Sequence, residues 1–161
     1  MITESSVSSD LIIIHSPIEI AWEVLTDFQN YHLWNSFCPK IEGVLELGES
    51  VTMQVDLGNG LQTNIEYITK IDPPNSLVWS MENKPNDPIH ADRYQNLFYV
   101  DKDNCTYQTE DYFSGEAVAS MLDMMGQCIQ TGFNKCGLGL KRRSEELFYK
   151  MKKTQNVDER R

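Results

Sequence analysis

Between residues 51 and 114 the chain reads as strands joined by turns too short for any crossover. Val51, Met53, Val55 and Leu57 alternate with polar or small residues, Gly58-Asn59-Gly60 supplies a tight turn, and Leu61, Ile65, Tyr67 and Ile71 continue the alternation. A period of two lines one face of a strand, and a glycine-rich turn folds two such strands into a hairpin. Asp72-Pro73-Pro74-Asn75 is a second turn, Leu77, Trp79 and Met81 mark the next strand, and residues 83–88 read as a loop. Two further strands, about 91–100 and 105–114, flank the turn at 101–104. Parallel strands need long crossovers, so this run predicts an antiparallel meander, which curves as it twists.

The flanking segments supply what covers the sheet. Residues 10–15 are apolar and β-branched and read as a first strand. Ser16 then caps a short helix with Pro17 in its first turn and Glu19 completing a capping box, and Ile18, Ala21, Trp22 and Leu25 form its apolar face. A second short helical segment, about 30–36, carries Tyr31 and Trp34 and ends before Pro39. Beyond residue 116 the period lengthens, and a stripe from Val118 through Leu122, Ile129, Phe133 and Leu140 to Leu147 predicts one long helix to about residue 152. Gly126, Gly132, Gly137 and Gly139 weaken it by up to about 1 kcal/mol each relative to alanine, so packing must hold it, and the same small residues permit close approach to the sheet. The expected fold is α+β: residues 10–152 as one domain, 1–9 as an N-terminal tail and 153–161 as a frayed C-terminal tail. Only the long helix is large enough to cover the concave face of the sheet. Wherever the two fail to touch, a cavity remains.

Composition narrows the function. A net charge of −10 excludes nonspecific binding to a nucleic-acid backbone, which is held by Lys and Arg. The late basic residues, Lys141 to Lys153, are interrupted by Glu145 and Glu146 and read as a solvated helix face. The longest apolar run, Leu11 to Ile14, is too short for an integral membrane segment, and the first ten residues carry no export signal, so the default location is cytoplasmic. Cys38, Cys105, Cys128 and Cys136 lack the spacing of a zinc or redox motif, and His15, His32 and His90 are scattered, so neither metal nor cofactor is expected. No phosphate-binding loop or nucleophile elbow occurs. Oligomeric state is not written in the sequence.

Two stretches carry a family resemblance. Pro17, Trp22, Asp27, Phe28, Tyr31 and Trp34 near the front, with Asp111, Phe113 and Gly115 before the last helix, resemble the START-like (SRPBCC) superfamily, which includes polyketide cyclase/dehydrase-like proteins. The resemblance spans about residues 9–150 and implies a helix-grip fold: a seven-stranded antiparallel sheet wrapped around the long C-terminal helix, with two short helices after strand 1 and a deep apolar pocket. It also implies a small hydrophobic partner such as a lipid or polyketide, and it describes fold far more specifically than ligand.

Strand alternation nominates the pocket lining. Met53, Val55, Ile65, Tyr67, Trp79 and Met81 are expected to face inward, with Phe113 from the last strand and Met121 and Met125 from the helix, while Trp34 and Phe37 rim the mouth. The strand from Ala91 to Val100 has two possible faces. Phe98 and Val100 extend an apolar edge and favour Tyr94 and Phe98 inward; the opposite face turns Arg93 inward, where it anchors a carboxylate or polarises a carbonyl. Arg93, Tyr94, Tyr67 and Asp111 are the candidate catalytic residues if the protein is a polyketide aromatase/cyclase, since positioning with one acid or base supplies most of that chemistry. The sequence favours a binding module, with the cyclase as alternative and an interaction-only protein with a filled core as a third reading.

Overall fold

The computed structural model describes residues 1–160. Its elements are β1 (Ser6–Ser8), β2 (Ile12–Ile14), α1 (Ile18–Thr26), a 3-10 helix (Phe28–Leu33), β3 (Lys40–Glu42), β4 (Ser50–Asp56), β5 (Leu61–Asp72), β6 (Ser76–Ser80), β7 (His90–Asp101), β8 (Asn104–Ser114) and α2 (Val118–Asp158). One antiparallel sheet runs β1-β8-β7-β6-β5-β4-β3, and β2 also pairs with β8. The meander and the terminal helix stand as the alternation predicted, and the architecture is the helix grip.

The ends of the chain are more ordered than their composition suggested. Ser6–Ser8 lies within the expected tail yet pairs with Glu110–Tyr112, so β1 and β2 follow β8 as two pieces of one edge and the sheet has eight strands. Helix α2 continues to Asp158, past the expected fraying point. It lies against β1, β2, β8 and α1, and its polar side chains complete the edge of the sheet. Asn134 Oδ1 accepts from Asp10 N at 2.8 Å, Glu145 Oε1 accepts from His15 N at 2.9 Å, and Lys141 Nζ donates to Ile13 O at 2.8 Å. An uncovered edge strand invites pairing with another chain, and these contacts satisfy it internally.

Helix α1 begins at Ile18 with Pro17 in the capping position and lacks the expected capping box: Ser16 Oγ donates to Pro17 O instead, and no side chain caps the helix. Proline in that position has no side-chain acceptor to offer the first N–H groups of the helix. After α1 the aromatics lock the corner. Tyr31 donates to Leu25 O at 2.5 Å, and Phe28, Tyr31 and Trp34 pack edge to face in sequence. Trp34 and Phe37 are each 4% exposed, so both belong to the core and not to a rim. Their burial follows from the close docking of α2, where Gly139 abuts the Trp34 carbonyl and Gly132 abuts the Phe37 ring.

Two registers correct the expected inward set. Strand β5 carries a bulge between Ile68 and Lys70, and a bulge reverses which parity faces inward. Stepping back by twos from Ile71 puts Ile65 and Tyr67 inside; with the bulge, Glu66 and Ile68 take that face. Pairing with β4 agrees, because Glu66 sits opposite the fully buried Val51 while Ile65 is 57% exposed. On β7 the buried residues are Ala91, Arg93, Gln95 and Leu97. Tyr94 therefore lies on the convex face, edge-on to Tyr112 at 5.5 Å, and Phe98 is 48% exposed there. Leu97, opposite the buried Tyr107, sets the parity of β7 more strongly than the apolar tip at Phe98.

Candidate functional site

The concave face gathers its polar groups in two adjacent rows. Trp79, Arg93 and Asp111 lie side by side across β6, β7 and β8. In the next row Glu66 on β5 pairs with Val51, and Ala91 pairs with Phe113. The two rows are close enough for Asp111 and Arg93 to act on the charge of Glu66.

Arg93 is the centre of the site. Its guanidinium carbon stands 4.4 Å from the Phe133 ring centroid, 5.5 Å from Phe37 and 5.7 Å from Trp79. Nε donates to Thr109 Oγ1 at 3.0 Å and Nη2 to Cys136 Sγ at 3.8 Å. Thr109 is itself fixed, donating to Tyr94 O at 2.9 Å and receiving Arg93 because its own hydrogen is committed elsewhere. Among the described residues no carboxylate lies within 4 Å of the guanidinium, and Nη1 has no hydrogen-bond partner. Burial works against the charge, yet the Cys136, Tyr107, Asp111 and Glu66 groups outweigh it and the pKa moves up. The side chain stays a cation. A buried cation is ordinarily paired, and here three aromatic faces, a hydroxyl and a thiol do only part of that task. Beside it, Gln95 accepts from the Tyr107 hydroxyl at 3.3 Å but its Nε2, like Trp79 Nε1, is buried with no acceptor.

Two carboxyl groups face the same space. Glu66 and Asp111 are surrounded by protein, retain some accessible surface and make no side-chain hydrogen bond. Burial, then the charge of Asp111, raises Glu66 to about 8, with Arg93 opposing. Burial also raises Asp111, to about 6, again against Arg93. At neutral pH the site thus holds a cationic Arg93, an ionised Asp111 and a largely protonated Glu66.

The concave face is more filled and more polar than the expected apolar pocket. Phe37, Phe133, Trp79 and Arg93 fill the centre of the concave face. Phe113, Met121 and Met125 are half-buried against the core and Met53 and Val55 are buried; the surface left accessible on the concave face at Glu66, Asp111 and Phe113 is the candidate cleft. Nearby, a groove of about 180 Å³ separates Asp56 and Gly58 from Gln127, Thr131 and Lys135. Met81 is 40% exposed and, with Tyr67, lines a separate groove on the convex side beside Asp92. Of the four candidate catalytic residues, Arg93 and Asp111 come together on the concave face, while Tyr67 and Tyr94 lie outside it. The alternation reading passed over Glu66, Thr109 and Cys136. A signal for Glu66 existed in the hairpin: counting pairs outward from Asp56 and Leu61 sets it beside Val51.

The fold is that of a START-like helix-grip protein. The chain belongs to the family described as Activator of Hsp90 ATPase homolog 1-like protein, whose model matches residues 15–145. Solved structures share the architecture at low identity. A hypothetical protein from Helicobacter pylori aligns with TM-score 0.70 and 14% identity over 88% of this chain and 89% of its own. The Zhui aromatase/cyclase from Streptomyces sp. R1128 aligns with TM-score 0.65 and 18% identity over 86% and 93%. A START superfamily protein from Mycobacterium smegmatis aligns with TM-score 0.59 and 11% identity over 84% and 99%. No curated protein matches the sequence. At these identities the likenesses establish the fold alone. No helix among the described residues is long and apolar enough to cross a membrane, and no cluster of three metal-ligating side chains occurs among them.

Proposed function

We propose that this protein binds a small amphipathic molecule between its sheet and α2, with a carboxylate or carbonyl of the ligand held by Arg93. The observation that carries this reading is the buried guanidinium without a carboxylate partner. An acceptor from outside would complete its hydrogen bonds where the protein does not, and charge-assisted hydrogen bonds to Arg are among the strongest available. The Met and Phe side chains around it suit an acyl or aromatic tail. Titration calorimetry with decanoate tests the proposal. Saturable binding to the wild type is expected, weakened at least about tenfold in Arg93→Met, as loss of a charged hydrogen bond predicts. Methionine keeps the length and removes a buried cation, so that variant should remain folded. Absence of saturable binding to the wild type would sink the reading.

One observation favours a second reading, cyclisation of a polyketide-like substrate. Asp111, with its pKa near 6, shares the cleft with Arg93, so a base stands beside a cation able to polarise a carbonyl. An enzyme would turn over a poly-β-ketone analogue and lose turnover in Asp111→Asn while retaining decanoate binding. A carrier would bind the analogue unchanged.

A further inference from the structure

The ligand cleft has a wall that a plain lipid would leave unsatisfied. On β5 the register with β4 puts Gln62, Asn64 and Glu66 on the same face as Val55, Met53 and Val51. Along β5 that face is therefore polar, whereas Phe113, Met121 and Met125, half-buried against the core, are apolar. Neither Glu66 nor Asp111 has a hydrogen-bond partner within the protein, and Arg93, 5% exposed, stands next to Asp111 with Nη1 unpartnered. None of these atoms is among the fully buried unpartnered ones, and both carboxyls keep some accessible surface, so with the site empty water serves them. A hydrocarbon chain against this wall would strip water from the carboxyls and return nothing.

We infer that the cleft selects an oxygenated ligand, one in which a hydroxyl group engages Glu66 and Asp111 while a carboxylate or carbonyl of the same molecule engages Arg93. This rests on the amphipathic-ligand reading and narrows it to hydroxylated acids or ketones. A hydroxyl both donates and accepts, and so satisfies the pair in the state they hold at neutral pH: it donates to ionised Asp111 and accepts from protonated Glu66. A plain alkyl chain does neither.

Calorimetry at pH 7 with decanoate, 3-hydroxydecanoate and 10-hydroxydecanoate tests this. At least one hydroxy acid should bind about tenfold more tightly than decanoate, the gain expected of a hydroxyl bonded to a charged acceptor. In a Glu66→Leu/Asp111→Leu double variant, whose thermal transition reports its folding, that preference should vanish while decanoate binding persists. The inference is overturned if neither hydroxy acid outbinds decanoate in the wild type, a comparison that needs no variant. It is equally overturned if the preference survives the double substitution. Decanoate binding without hydroxyl preference would leave the amphipathic-ligand reading standing; failure of all three acids would remove both.

Discussion

Glu66 illustrates how one residue couples the site to stability. Its pKa of about 8 in the fold exceeds the ordinary carboxyl value of 4.5, chiefly through burial and then through the charge of Asp111. Between those values the folded state holds a proton that the unfolded chain has lost, so stability falls as pH rises. The stabilisation is complete below about 4.5 and lost through about 8. Thermal unfolding between pH 5 and 8 should show the wild type losing stability with rising pH, with a slope from this group of at most about 1.4 kcal/mol per pH unit. Glu66→Gln should flatten that slope, because glutamine has no proton to lose. An unchanged slope would show that Glu66 titrates as it does in water.

At the scale of elements, the glycines of α2 separate close packing from helix propensity. A methyl group at Gly139 would run into the carbonyl oxygen of Trp34, a backbone atom unable to rotate aside, whereas at Gly126 the nearest atoms are side-chain carbons of Ile2 at 3.5 Å. Alanine improves helix propensity by about 1 kcal/mol at either position. Gly126→Ala should therefore be neutral or stabilising, and Gly139→Ala should lose about 1–2 kcal/mol net, as overpacking outweighs propensity. Urea denaturation of the two variants checks both signs. Helical period alone showed four weakening glycines; only the docked structure shows that Gly132, Gly137 and Gly139 are held against Phe37, Ile12 and the Trp34 backbone while Gly126 is not. The strands behave likewise. Alternation marked Met53, Val55 and Trp79 as concave, yet the bulge in β5 turned Ile65 and Tyr67 outward, and the pairing of Leu97 with Tyr107 turned Tyr94 and Phe98 outward.

For the whole molecule, ligand binding and folding share one equilibrium. A ligand that occupies only the folded cleft stabilises it by about 2.7 kcal/mol at a hundred times its dissociation constant, which for a domain of this size raises Tm by about 5–10 °C. Scanning calorimetry with a saturating hydroxy acid should show that rise in the wild type and little of it in Arg93→Met. The acidic surface should keep nonspecific binding low, since the net charge is −10.

The amino-acid sequence by itself determined the meander and the covering helix, because periods of two and 3.6 and the turns between them are local properties. It also carried the superfamily signature in Pro17, Asp27, Trp34, Asp111 and Gly115. What faces the cleft was decided only in three dimensions. A single bulge or a shift of one residue exchanges the two faces of a strand without altering its composition, and that is how Glu66 and Arg93, polar residues in apolar-looking strands, come to occupy the interior.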